Sequence, residues 1–439
     1  MKFTIILNQF DYYINSMLKE ILLAKINCLI MTLRISVIAL AISNLISVST
    51  FGQDKNPLSV ITKREKGIEV VQKDSLFSLR VQFRMQNRVA YMSKSTEDFT
   101  PESFEMRVRR LRLALRGFVY NPKFTYYIQL SFSRGDMDWE STNSSTINTS
   151  LNIVRDAMVF YEPLKGLKLG FGQTKLPGNR QRVVSSGNLQ FADRSIVNST
   201  FTIDRDFGLF ATYERNYFRL KGAITSGEGR NSSKSDKGLN YTGRVEYLPF
   251  GKFTGDNEDW EGDLAREKKP KLVLALGYNY NVHAMRQGGT LGNDLYAPVN
   301  MKNLHADLLF KYKGFSLLQE YTNRVCDNAI TVSPTDASKY RVVYTGFGSN
   351  TQLSYNFKNN IELAVRYSFI SPNREIYNNP LYANLNEKRQ EQWHFGVTKY
   401  LYGHRLKVQG NLVYNVSKDL QNVTSKGQFG AIFQIEMGI

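Results

Sequence analysis

Between Leu76 and Met92 the chain reads LFSLRVQFRMQNRVAYM, in which Arg80, Arg84 and Arg88 recur every fourth residue with Gln82 and Gln86 between them. A second set, Arg110, Arg112 and Arg116, lies in RVRRLRLALRGF (107–118). Guanidinium groups offer paired N–H donors in a planar fork that matches the oxygens of phosphate or carboxylate. Two such rows on one face would attract anions and hand them along, provided that each position holds the ion weakly.

The spacing also names the element that must carry the rows. Phe77, Leu79, Val81, Phe83, Met85 and Val89 occupy the odd positions, so apolar and polar residues alternate with a period of two. That is an extended strand with two unlike faces. The same alternation recurs in Leu111–Val119, Phe124–Phe132, Asn152–Tyr161, Leu167–Gln173, Phe207–Tyr213, Phe218–Thr225, Leu239–Tyr247 and Lys271–Tyr280. It continues in Leu304–Tyr312, Phe315–Tyr321, Tyr340–Phe357, Ile361–Phe369, Gln392–Leu401, Arg405–Val416 and Gln428–Met437, for about sixteen strands in all.

Tight turns at Asn121–Lys123, Pro163–Gly166, Asn216, Lys313–Gly314, Lys358–Asn359 and Tyr402–His404 alternate with longer polar links. Short turns on one side and long loops on the other are the pattern of an outer-membrane barrel, with periplasmic turns and external loops. The fold class expected is therefore all-β, a transmembrane antiparallel β-barrel. Tyr91, Tyr120, Tyr161, Tyr247, Tyr312, Tyr400 and Tyr414 fit its interfacial aromatic girdles. The one exception to the alternation is 248–270, a long link where a short turn is due. Its Asp256, Glu258, Asp259, Glu261 and Asp263 read as a solvated acidic loop, with calcium binding as the alternative.

Composition agrees. Among 439 residues Tyr (25) and Phe (27) are plentiful and Pro (11) is scarce, as many strands require. The mean hydropathy of −0.35 excludes a helical membrane bundle, but not strands of about 9–11 residues with only every second side chain in lipid. The formal charge of +18 is dispersed, and without helix-turn-helix or zinc spacing nucleic acid is not an expected partner. Cys28 and Cys326 form no disulfide framework. No Gly-x-Ser-x-Gly or His-Glu-x-x-His occurs, and His283, His305, His394 and His404 are scattered, so no catalytic residues, cofactor or metal site are expected.

Met31–Gly52 has a basic residue (Arg34), an apolar stretch, and small residues before Gln53, the pattern of a signal peptide. The expected organisation is an upstream segment 1–30 preceding a start at Met31, a signal peptide 31–52, a periplasmic segment 53–75 and the barrel 76–439.

With the apolar registers facing lipid, Arg80, Arg84, Arg88, Arg110, Arg112, Arg116, Arg219, Lys221, Arg244, Lys311, Arg366 and Lys407 face inward. Asp156, Glu214, Glu246, Asp307, Glu320, Glu362 and Glu436 do so as the minority acids. Alternation breaks at 107–110, so Arg107 and Arg109 are expected to face out at the external rim, near lipopolysaccharide phosphates or the loop.

Three stretches resemble the phosphate-selective porins O and P in the variant typical of Bacteroidetes. They are GIEVVQKDSLFSLRVQFRMQNR (67–88) with RVRRLRLALRGFVYNPKF (107–124), then RDAMVFYEPLKGLKLGFGQTKLPGNRQRVVSSGNLQFADRS (155–195), and YTGRVEYLPFGKF (241–253). The most distinctive element is Gly172-Gln173-x-Lys175-x-Pro177 with the downstream SSGNLQFADRS. The chain departs from such barrels in ending on QFGAIFQIEMGI instead of Phe or Trp. The resemblance implies a homotrimeric outer-membrane porin of sixteen strands whose third external loop, here Leu176–Arg205, folds inward. That loop would bring Arg180, Arg182, Arg194 and Arg205, with Lys175 at its start, to the first two rows. Together they would pass small anions such as phosphate or polyphosphate by passive diffusion. The alternatives are a general anion or non-specific porin and a structural or adhesive barrel.

Mass spectrometry of the exported protein is expected to find its N-terminus at Gln53. A mature N-terminus upstream of Met31 would contradict the start at Met31.

Overall fold

A sheet inside lipid can satisfy every backbone N–H and C=O only if its first and last strands meet. The computed structural model, which describes residues 59–63, 67–71, 76–133, 153–232, 238–255, 257–382 and 385–439, shows that closure. The expected segments 1–30 and 31–52 lie outside the described residues, as do most of the external link 133–151 and Asp256 of the acidic link.

Two short strands, β1 (Ser59–Lys63) and β2 (Gly67–Val71), form a hairpin ahead of the barrel. The first eight barrel strands are β3 (Phe77–Ser93), β4 (Pro101–Val119), β5 (Asn121–Ser131), β6 (Val154–Leu164), β7 (Leu167–Lys175), β8 (Arg205–Arg215), β9 (Phe218–Thr225) and β10 (Asn240–Tyr247). Next come β11 (Lys271–Arg286), β12 (Asp294–Tyr312) and β13 (Phe315–Cys326), then a separate external hairpin of β14 (Ile330–Val332) and β15 (Tyr340–Val342). Strands β16 (Gly346–Asn356), β17 (Ile361–Pro372), β18 (Arg389–Tyr402), β19 (Leu406–Asp419) and β20 (Thr424–Gly438) complete the barrel.

Sixteen of these strands pair antiparallel with their neighbours around the ring, and β20 returns to β3 in the register Gly430↔Met92 to Gly438↔Arg84. Below that seam β2 takes over as the neighbour of β3, from Ile68↔Val81 to Val71↔Ser78. The hairpin therefore covers the stretch of β3 that β20 is too short to reach.

The outward face is apolar and exposed, as a lipid-facing surface must be. Phe171, Leu209, Leu276, Phe395 and Leu412 all project from it. At the tight turns a residue takes the left-handed backbone that hairpin geometry demands: Tyr120, Gly166, Asn216, Gly314, Asn360 and Gly403 all have positive φ.

Three expectations need correction. The run Tyr340–Phe357 is not one strand, because Tyr340–Val342 pairs with Ile330–Val332, and Val343 donates to the Ala329 carbonyl, before β16 begins. Several strands run well past the membrane thickness, β4 and β12 being 19 residues long, so the external links are shorter than expected. Tyr400 is no girdle residue: it shares the even register of Thr398 and His394, and its hydroxyl donates to Glu362 in the lumen at 2.6 Å.

An arginine placed on the lipid face near mid-membrane costs about 2–4 kcal/mol. Phe171→Arg is expected to destabilise folding into lipid vesicles by that amount, read from urea titrations. The lumen-facing Gln129→Arg should change it by much less.

Candidate functional site

The channel interior is built from two segments that enter the barrel from opposite ends. From the external side comes the loop 176–204 between β7 and β8, which includes the short helices α1 (Arg180–Val183) and α2 (Ile196–Phe201). From the periplasmic side comes the link 248–270, between β10 and β11. They meet in the middle: Gln181 Nε2 donates to Glu261 Oε1 at 3.0 Å, Gln190 N to Glu261 Oε2 at 3.0 Å, and Glu261 N to the Asn188 carbonyl at 3.0 Å. The acidic link is thus not a solvated loop, since Glu258, Glu261 and Asp263 are each 1% exposed. Among the described residues no group of three or more His, Cys, Asp or Glu side chains is arranged to hold a metal ion.

Where β7 ends its pairing with β6, just ahead of the loop, stands Gly172, whose φ is +130° and where a Cβ would lie 2.1 Å from the Ala157 carbonyl oxygen. The next residue, Gln173, donates from Nε2 to the carbonyls of Val154 and Arg155 (3.1 and 3.2 Å) and accepts from Asn231 N at 2.7 Å. Lys175 donates to the Val183 carbonyl at 3.0 Å. In α2, Ser195 caps the helix by accepting from Asn198 N, while Val197 and Phe201 pack on Ile370.

Arg180 fastens the loop to one side of the barrel. It is fully buried and donates to Asp307 Oδ1 at 2.9 Å, with Asp259 at 3.3 Å and Glu246 at 3.5 Å. Arg244, equally buried, donates to Glu246 at 2.7 Å, to Asp307 at 3.0 Å and to the Gly178 carbonyl at 2.8 Å. A desolvated guanidinium is tolerable only with such partners. Around this network Gln181 N donates to Glu320 (2.8 Å), Gln190 Nε2 to Glu362 (2.9 Å), and Lys407 Nζ to the carbonyls of Gly187 and Leu189 (both 2.9 Å). Of the other basic residues facing in on this side, Arg219 and Lys221 pair with the wall acids Glu214 and Glu246, and Lys311 donates to the Asn257 carbonyl of the link at 3.0 Å.

A passage remains between the loop and the strands that carry Arg84, Arg112 and Arg155, with β18–β20 closing its other flank through Gln392, His394 and Asn415 outside and Tyr402 and Glu436 inside. Three cavities follow one another there: an outer one of about 470 Å³, a middle one of about 330 Å³ and an inner one of about 480 Å³. The outer and middle cavities share Arg112, Arg155, Arg182 and Arg194, and the middle and inner ones share Arg112, Arg116, Gln129, Ser185 and Asn188. Arg112 borders all three. The middle cavity is lined by the basic side chains of Arg112, Arg116, Arg155, Lys175, Arg182, Arg194 and Arg205, against the acids Asp156 and Asp259. Asp156 is itself taken up by Arg205, at 3.0 and 3.1 Å.

The sequence-derived residues divide between these two regions. Arg110 borders the outer cavity and donates to Gln86 at 2.7 Å, and Arg84 borders the inner one and donates to Ser185 and Ser186 at 3.1 and 2.9 Å. Arg112 also reaches Ser186, at 3.0 Å, and Arg116 lies over the Tyr127 ring at 4.2 Å. Arg182 pairs with Asp204, and Arg194 donates to the carbonyls of Gln181 and Val184 at 2.5 and 2.7 Å. Arg80, Arg88 and Arg180 border none of the three cavities. Arg80 is tied to Glu69 of β2 at 2.8 Å, Arg88 to Asp193, Ala192 and Gln434, and Arg180 is the fastener described above.

Arg107 and Arg109 do not face out. The register steps from Gln86↔Arg110 to Asn87↔Val108, so Arg109 is the extra residue of a bulge, and Arg107 falls opposite the inward Arg88. Arg107 pairs with Glu105 at 2.9 Å and Arg109 approaches Asp193 at 3.6 Å. A second bulge, between Gln129↔Asp156 and Leu130↔Val154, adds Arg155, whose parity is opposite to that of the inward Asp156. Bulges re-aim a side chain beside a functional site, and here both supply a lumen arginine. Arg230, from the link 226–239, was the other residue missed; it lies 3.2 Å from Asp204. Burial works against the Asp193 carboxylate, yet Arg109, Arg88 and Arg110 hold it below the ordinary carboxylate range.

A family model described as phosphate-selective porin O and P matches residues 79–435. No curated protein is significantly similar in sequence. Among solved structures, OprB of Pseudomonas putida aligns with a TM-score of 0.52 at 12% identity, over 82% of this chain and 94% of that one. The outer membrane channel DcaP of Acinetobacter baumannii aligns at 0.51 and 11%, over 83% and 97%, and OmpF of Salmonella typhi at 0.50 and 11%, over 87% and 100%. At these identities the likeness is one of fold.

Truncating one member of a buried ion pair costs about 3–5 kcal/mol. Arg180→Ala is therefore expected to lower the barrel's unfolding free energy by that order and, by releasing the loop, to raise single-channel conductance. Unchanged conductance in a folded variant would show that Arg180 does not hold the constriction.

Proposed function

Because this chain belongs to the phosphate-selective porin O and P family and is an outer-membrane porin, we propose that it passes small anions by passive diffusion along the β3–β8 side of the barrel. One observation carries the reading: the middle cavity is bordered by seven basic and two acidic side chains, with Arg112 continuing into the cavities above and below. An ion moving down this side meets a new guanidinium before leaving the last, which lowers the barrier for anions and raises it for cations. The neutralised network on the other side contributes little to the field.

Phosphate or polyphosphate is the proposed preferred solute. Its support is the family together with donors of two kinds, the forks of Arg84 and Arg112 and the hydroxyls of Ser185 and Ser186 beside them. A homotrimer is proposed on the family alone.

In planar bilayers under a potassium chloride gradient, the reversal potential is expected to show chloride preferred over potassium. One charge at about 4 Å in a water-like medium is worth about 1 kcal/mol, or roughly fivefold, so Arg112→Ala should cut the preference by about that factor. Asp193→Asn should raise it. Phosphate is expected to block part of the chloride current; its failure to do so would leave a general anion porin, and a cation-selective pore would refute the proposal.

A further inference from the structure

The inner cavity differs in character from the other two. Its barrel wall carries Arg84, Arg112 and Arg116 with one acid, Glu436, 3.7 Å from Arg84, and the link entering from the periplasmic end adds Trp260, Leu264 and Ala265 to the lining. The Trp260 indole is held in place: its backbone N–H donates to the Asn257 carbonyl at 3.2 Å, and its ring meets that of His404 edge-on at 4.8 Å. The cavity's size, about 480 Å³, falls within the roughly 300–1,000 Å³ typical of small-molecule sites. A pathway serving only hydrated inorganic ions has no use for a fixed aromatic wall at its exit, since apolar surface neither hydrates nor binds them.

We propose that the inner cavity is a binding site for organic anions with a flat apolar body, such as aromatic carboxylates, and that it retains them in preference to small hydrophilic anions of the same charge. The carboxylate lies on the Arg84–Arg112 side, where the two arginines are cross-strand partners in register and paired donors fit its oxygens. The ring lies against Trp260, where ring–ring contact adds to the burial of apolar area. Because Arg112 and Arg116 also border the middle cavity, an anion leaving the constriction is delivered charge-first to this site. The inference rests on anion passage, and it adds a class of solute to that reading.

The test measures block of chloride current by benzoate and by acetate in planar bilayers, with the reversal potential recorded on the same channels. Benzoate is expected to half-block at a concentration about fivefold below that of acetate, the scale of one aromatic contact. Trp260→Ala should bring the two within about twofold and leave the reversal potential unchanged, and Trp260→Phe should keep most of the difference. Heat-modifiable migration on gels confirms that each variant is a folded barrel. Equal block by benzoate and acetate in the unaltered protein would overturn the proposal, as would a folded Trp260→Ala variant that retains the difference. A cation-selective reversal potential, in contrast, would strike at anion passage itself.

Discussion

The fully desolvated guanidinium of Arg180 has to be surrounded by acceptors, because an unpaired charge in that position would cost more than most single contacts contribute. Asp307, Glu246 and Asp259 supply them, from β12, from β10 and from the link that enters at the periplasmic end. One side chain thereby ties the external loop both to the barrel wall and to the second inserted segment. Arg244 completes the arrangement by holding Gly178, two residues before Arg180, through its carbonyl. The position of the loop, and so the location and width of the passage, follow from this set of ion pairs.

The division of charge within the lumen is the functional result. Inward-facing basic residues occur all around the barrel, but those on β10–β20 are matched to acids or to loop carbonyls. Arg324, for instance, donates to the Thr200 carbonyl at 3.0 Å, and Arg366 to that of Asp193 at 2.9 Å. On β3–β8 the arginines outnumber nearby acids, and the loop turns polar groups toward them. Gly187 illustrates the fit: a Cβ there would lie 2.1 Å from Arg84 Nη1, so any side chain at this position would push the guanidinium from its place against the loop. A barrel with evenly spread charge would have been a wide, weakly selective tube. Concentrating the pairing on one side leaves the other as a narrow cationic track.

Much of this was legible in the sequence, and for a definite reason. In a lipid-facing strand every second residue must be apolar, so runs such as Leu76–Met92 disclose both the strand and the direction of each arginine. The turns were legible because they are short and alternate with long links. What alternation could not disclose were the places where it is interrupted: the bulges at Arg109 and Arg155 reverse or add a direction without altering composition. Nor could it show where the link 248–270 goes. Asp259 and Glu261 read as solvent-exposed acids because their partners, Arg180, Gln181 and Gln190, are about 70–80 residues away in the chain and are brought to them only by closure of the barrel. The inward fold of 176–204 came from a family resemblance, and which arginines would hold the loop and which would border the passage depended on the same long-range pairings.

The central claim is that one side of the lumen is sealed and the other is open to anions. Charged thiol reagents test it directly in a Cys326→Ser background. Ser185→Cys, at the border of the middle and inner cavities, should react readily, and faster with a negatively charged methanethiosulfonate than with a positively charged one. Ser354→Cys, 5% exposed and bonded to Glu362 on the sealed side, should be protected from both. Equal reactivity at the two positions, or faster reaction of Ser185→Cys with the cationic reagent, would contradict the account.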